Sequence, residues 1–246
     1  MTNLWIEGGS HSGKTERVVQ QFCDWAETDF AKQSNSQAAS QKVLVFAVDS
    51  QQRRNLSDRL MMETHGRYPI TAVTPLSFFR DEVRLFWTLL VKRLNFKAQF
   101  PLLLRVENEQ ELANKLWRER IETGTLWMDG IGRDRLVRRL LDLFLLAAYG
   151  GREINKISTI LKSGIETNIP EEGAVSPSEQ LQEIGEALGE WRRYCWDRGL
   201  LTYGIITDLF AKHLLTNPQY QRKLKDRFQY IIVDRADEMP AIACDL

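Results

Sequence analysis

The chain has 246 residues, 43% of them apolar and 27% charged, the composition of an ordinary globular protein with room for one large domain or two small ones. Lys plus Arg and Asp plus Glu stand at 33 each, so the formal net charge is zero. That balance excludes a broadly basic nucleic-acid binder and leaves only a local basic patch for such a role.

Leu4-Trp5-Ile6 is a short apolar run that reads as a buried strand. It leads into Gly8-Gly9-Ser10-His11-Ser12-Gly13-Lys14-Thr15, which fits G-x-x-x-x-G-K-[ST], the pattern of a phosphate-binding loop. Gly8 and Gly13 permit backbone angles and close approaches that a Cβ would forbid. The loop N–H groups and the start of the next helix turn positive dipole towards a phosphate. Lys14 is placed to reach the β and γ phosphates, and Thr15 to offer a hydroxyl to Mg²⁺. All eight residues are candidate nucleotide-binding residues, with His11 at a variable position facing solvent. The helix that follows carries Val18, Val19, Phe22, Cys23 and Trp25 towards one face, which completes the order strand, loop, helix.

Residues 32–41, rich in Ser, Gln, Asn and Ala, read as a loop. Val43-Leu44-Val45-Phe46-Ala47-Val48 is apolar without alternation, as in a parallel strand buried on both faces. Asp49 or Ser50 can cap a helix running to about Thr64. Residues 70–73 read as a third strand, and Pro75 opens a helix holding Ser77, Phe78 and Phe79. From about residue 80 to 200, helical periodicity dominates. Leu85, Phe86, Leu89 and Leu90 suit one helix, Leu112, Leu116 and Trp117 a second, and Leu136, Leu140, Leu143 and Phe144 a third. Gly150-Gly151 breaks the pattern, residues 154–161 form a short helix, and residues 163–177 a loop. Ser178 is then a plausible N-cap for a long helix through Trp196. Trp87, Trp117, Trp127, Trp191 and Trp196 could stack on bases, but at helical spacing the core is the better reading. Arg133, Arg135, Arg138 and Arg139 read as a solvated face.

Strand character returns at Phe228-Gln229-Tyr230-Ile231-Ile232-Val233-Asp234, an apolar run ending in a carboxylate. That is the form of a Walker B segment, whose Asp holds the water shell of a nucleotide's Mg²⁺. Thr15 and Asp234 are therefore the candidate metal residues. Cys23, Cys195 and Cys244 form no C-x-x-C, and His11, His65 and His213 are isolated, so no disulfide framework or zinc site is indicated. No signal peptide or membrane-spanning run is legible, and the expected compartment is the cytoplasm.

In this order the motifs resemble the N-terminal half of a UvrD/Rep-type superfamily 1 DNA helicase. Besides the loop, Tyr194 to Tyr203 is similar to the family segment ending "gl-DF", and Arg227 to Asp234 to its "rF-yilVDE-QD". Residues 43–60, with Arg59-Leu60 at the recurring "R-[IL]" end, sit where motif Ia lies, and residues 72–78 resemble motif Ib. The resemblance implies a RecA-like P-loop α/β domain at 1–80 and 200–246, interrupted by a large all-helical insertion at 81–199. It implies ATP and Mg²⁺ as cofactors, single-stranded or duplex-end DNA as a partner, and Ser50, Thr74 and Ser77 as DNA-contacting positions. It also implies a second helicase core domain outside this chain, and no membrane.

Several motifs depart from the family pattern. Arg235 stands where the family has the Glu that activates water, a base worth roughly 10²–10⁴ in rate; Asp237 and Glu238 are the nearest carboxylates, out of register by two or three residues. Asp49-Ser50 replaces Thr-Asn, Leu76 replaces a His, and Thr202-Tyr203 replaces Asp-Phe. Only seven residues precede Gly8, which leaves no room for the adenine-reading Q-motif, and few residues follow Asp234. A fragment, or a chain whose sheet edge a partner covers, is therefore expected. The departures are similar to those in helicase-like subunits of bacterial recombination nucleases such as AddB, with a nuclease or helicase partner subunit. Two readings follow: an ATP-binding helicase half with impaired hydrolysis, or a scaffold derived from one. A small-molecule P-loop kinase fits poorly, because no Arg-rich lid follows the Walker B segment.

Overall fold

The computed structural model describes residues 4–9, 11–25, 43–68, 70–128, 130–164 and 177–245. The expected loop at 32–41 lies outside them. The protein is mixed α/β, mostly helical, with two small parallel sheets among the described residues. It divides into two compact units, Met1–Phe78 with Asn217–Cys244, and Phe79–Thr216 with the last two residues. The sequence reading brings the chain back to the α/β part at 200; in the structure, residues 200–216 belong with the helices and the return comes at 217.

In the first unit, α1 spans Lys14–Trp25, β1 Val43–Phe46, α2 Ser50–Glu63 and β2 Ala72–Val73. Helix α3 begins at Pro75 and runs to Leu85. The strands form a parallel sheet of order β2-β1-β5, where β5 is Tyr230–Val233. Val45 pairs with Ala72 on one side and Ile232 on the other. All four β1 residues are buried, as its unalternating apolar sequence requires. One sheet face carries Val43, Val45 and Ile232 against Val19 and Phe22 of α1 and Leu56 and Leu60 of α2. On the opposite face Phe46 meets Phe78 edge-on, with ring centroids 5.3 Å apart. Asp49 caps α2, its carboxylate accepting from the Gln51 and Gln52 N–H groups at 2.7 and 2.8 Å. Of the two cap candidates at the start of this helix, Asp49 takes the role.

The expected strand at 4–6 does not form: these residues make no ladder, and Leu4 and Trp5 are 59% and 73% exposed. A short apolar run becomes a strand only when a neighbour takes its backbone groups, and none does so among the described residues. Among the described residues strand β5 pairs on one side only, and Ile231 and Val233 stay partly exposed.

In the second unit, α4 is Trp87–Leu94, β3 Leu102–Leu103, α5 Val106–Glu122, α6 Arg133–Tyr149 and α7 Ile157–Gly164. Then come α8 Pro177–Arg198, β4 Leu200–Leu201 and α9 Tyr203–Leu209, the last continuing as a π-helical turn over Phe210–Leu214. The helix α10, Pro218–Arg227, returns to the first unit and precedes β5. Leu85 and Leu90 do not share one helix as expected. The chain breaks at Phe86, leaving Leu85 exposed and Leu90 buried. Helix α8 begins at Pro177, so Ser178 lies inside it rather than capping it. The unforeseen β3–β4 pair is made possible by Gly199, at φ +64°, where a Cβ would stand 2.7 Å from Ala98 Cβ and 2.9 Å from the Phe100 carbonyl oxygen. Trp87, Trp117 and Trp191 are buried in this unit's core, as the helical spacing suggests. Asp208 is fully buried there too, with Lys212 Nζ at 3.1 Å and an Arg192 nitrogen at 3.9 Å.

Candidate functional site

The described loop residues, 8, 9 and 11–13, include two left-handed positions. Gly13 sits at φ +83° and His11 at φ +60°, both in the left-handed region. Gly13 occupies it without steric penalty; His11 does not have that freedom and is exposed. A Cβ on Gly8 would lie 2.4 Å from Ser12 Oγ, whereas one on Gly9 would meet nothing within 4 Å. Ser10 lies outside the described residues. Lys14 folds back over the loop, its Nζ donating to the Gly8 carbonyl at 2.6 Å and the Gly9 carbonyl at 2.8 Å. Helix α1 starts at Lys14, so its first N–H groups, which have no partners within the helix, face the loop.

The fold brings Thr15 and Asp234 together across 219 residues. Thr15 Oγ1 donates to Asp234 Oδ1 at 3.2 Å. Asp234 is buried at the end of β5, where its N–H donates to the Phe46 carbonyl of β1. The sheet thus fixes the carboxylate while α1 fixes the hydroxyl. Two oxygens on adjacent corners of an Mg²⁺ octahedron lie roughly 3 Å apart, so this pair suits a hydrated Mg²⁺. Among the described residues no group of three or more His, Cys, Asp or Glu gathers as a metal site. A hydroxyl, one carboxylate and water are the donor set on offer.

Arg235 adopts left-handed backbone, φ 59° and ψ 56°, and its guanidinium pairs with Glu238 at 3.2 Å. Asp237 and Glu238 sit exposed on a single 3₁₀ turn. Of the DNA-contact candidates, Ser50 is exposed at the start of α2. Thr74 and Ser77 are engaged with each other: the Thr74 N–H donates to Ser77 Oγ at 3.0 Å and Ser77 Oγ to the Thr74 carbonyl at 2.9 Å. Their side chains cap α3.

A cavity of about 410 Å³ opens beside Thr15 and Asp234, within the first unit, and its other wall is α2. Gln52, Asn55, Asp58, Arg59 and Met62 line it. Sequence reasoning missed this wall. The available signal was the polar spacing 52, 55, 59 on a helix whose apolar residues, Leu56 and Leu60, point to the sheet. Arg59 pairs with Glu16 in the first turn of α1. That hydrogen bond, and the Arg59 charge behind it, hold the Glu16 carboxyl below the usual carboxylate range.

Among the described residues no helix is long and apolar enough to cross a membrane. No protein-family model matches the chain, and no curated protein matches it.

Proposed function

We propose that the chain binds Mg·ATP as the N-terminal part of a UvrD/Rep-like DNA helicase or helicase-like recombination and repair protein, with hydrolysis impaired. The observation that carries this reading is the meeting of Thr15 and Asp234 at 3.2 Å beside the glycine-rich loop. On this reading residues 8–15 cradle the phosphates, Lys14 exchanges the Gly8 and Gly9 carbonyls for phosphate oxygens, and Thr15 with Asp234 holds the hydrated Mg²⁺. A P-loop NTPase fold of RecA-like type accounts for the parallel order β2-β1-β5 with the site at the strand ends. Bound Mg²⁺ would neutralise phosphate charge, and Arg235, a cation engaged with Glu238, offers no base to the attacking water. The partners that fit are DNA, contacted near Ser50, a second core domain, and a nuclease or helicase subunit.

The test is a titration of Mg·ATP, and of a non-hydrolysable analogue, into the chain and into Lys14→Ala. Saturable binding lost in the variant supports the reading. Steady ATP turnover stimulated by single-stranded DNA would overturn the inert part of it. A second reading, a scaffold derived from a helicase, is favoured by Lys14 being occupied with backbone carbonyls and by Arg235 at the base position. It predicts no binding by either chain.

A further inference from the structure

The cavity beside Thr15 and Asp234 has a wall that the phosphate-loop pattern does not assign. Helix α2 turns Leu56 and Leu60 into the core, and it turns Gln52, Asn55 and Arg59 towards the cavity at i, i+3 and i+7. A polar stripe on the groove side of a packed helix is not demanded by packing. Among the described residues that line the cavity Arg59 is the one cation, and Asp58 and Asp234 line it too.

Its guanidinium is held by Glu16, with Nη2 donating to Oε1 at 2.5 Å. Glu16 lies on the same first turn of α1 as Thr15, and Arg59 lines the same cavity as Thr15 and Asp234. The Arg59 and Glu16 side chains are 42% and 68% exposed. Exposed pairs of this kind contribute little to stability and exchange readily. A phosphate offers a guanidinium a better partner, because its oxygens match the planar fork bidentately.

We propose that Arg59 reads the terminal phosphate of a nucleoside triphosphate, and that Glu16 holds it in reserve until that phosphate enters the cavity. The inference rests on the nucleotide reading above and adds a specificity residue to it, contributed by the same unit as the loop. Because Glu16 competes with the phosphate for Arg59, the two substitutions act in opposite directions. Removing Arg59 weakens triphosphate binding and leaves diphosphate binding alone. Neutralising Glu16 frees Arg59 and strengthens triphosphate binding. A pair that merely clamps α1 to α2 would make both substitutions act in one direction, and equally on both nucleotides.

The experiment is calorimetric titration of the whole chain with Mg·ADP and with Mg²⁺ plus a non-hydrolysable ATP analogue. The proteins are the wild type, Arg59→Ala, Arg59→Lys and Glu16→Gln, each checked for an unchanged thermal melt. Arg59→Ala is expected to lose about tenfold in analogue affinity, the value of one charge-assisted hydrogen bond, with ADP affinity unchanged. Arg59→Lys is expected to retain part of that preference, and Glu16→Gln to raise it. An unchanged analogue-to-ADP ratio in Arg59→Ala, or a lowered ratio in Glu16→Gln, overturns the proposal while leaving nucleotide binding intact. Failure of the wild type to bind either nucleotide overturns the underlying reading and the proposal together.

Discussion

Two adjacent glycines open the loop, and the structure gives them unequal work. A Cβ on Gly8 would stand 2.4 Å from Ser12 Oγ and 3.1 Å from Ser12 Cβ, inside any normal contact distance. A Cβ on Gly9 would find open space, and neither glycine has the positive φ that strains an alanine. Gly8→Ala must therefore push Ser12 aside or open the turn, at a cost of about 1–3 kcal/mol for overpacking of this kind. If the closed turn is the form that binds nucleotide, that cost appears as roughly 5- to 150-fold weaker Mg·ATP binding. Gly9→Ala should leave affinity within about twofold, since no contact changes. Combining Gly8→Ala with Ser12→Ala removes the Oγ and leaves the 3.1 Å contact as the nearest, so most of the affinity should return. Titration of Mg·ATP into the four chains provides the assay. Equal damage from Gly8→Ala and Gly9→Ala, or no recovery in the double variant, would refute the steric account.

The helical unit supports further predictions. Gly199→Ala combines positive φ with contacts of 2.7 and 2.9 Å, the second to backbone, and should lower stability by about 2 kcal/mol or more in a denaturant melt; an unchanged midpoint would contradict the reading of the β3–β4 junction. Lys212→Met removes the cation 3.1 Å from buried Asp208 and leaves Arg192 at 3.9 Å, and should cost about 3 kcal/mol, largely recovered when Asp208→Asn is added. His213 is held neutral with a pKa lowered to about 4, first by burial, with Arg93, Arg192 and Lys212 reinforcing and Asp208 opposing. Its folded value lies below the unfolded value of about 6.5, so the unfolded chain takes up a proton that the folded chain refuses. Its share of stability is therefore present above pH 6.5 or so and lost as pH falls towards 4. Urea melts across that window should show a shallower acid slope in His213→Phe than in the wild type, and identical slopes would count against it.

Some of this architecture is written in local sequence and some is not. Residues 43–48 announce a buried parallel strand because nothing in them alternates, and Asp49-Ser50 announces a cap, which Asp49 supplies through the N–H groups of Gln51 and Gln52. The loop was legible because Gly13 answers to left-handed backbone and Gly8 to a close approach, which no other residue meets as cheaply. Leu4-Trp5-Ile6 misled because strand formation belongs to the pairing neighbour, not to the run itself. The break at Phe86 was hidden by continuous apolar residues on both sides, and two-residue strands such as β3 and β4 have no periodicity to detect. At the site, Thr15 and Asp234 were named from pattern and their meeting was supplied by the fold. The α2 wall was missed because Gln52, Asn55 and Arg59 look like any solvated helix face until the cavity beside them is known.

The measurement that bears most directly on the central claim is ATP affinity with and without Mg²⁺, in the wild type and in Asp234→Asn. The account predicts that Mg²⁺ tightens binding in the wild type, and that Asp234→Asn removes this enhancement while leaving the Mg²⁺-free affinity close to wild type. ATP binding that ignores Mg²⁺, or an enhancement that survives the loss of the Asp234 charge, would contradict it.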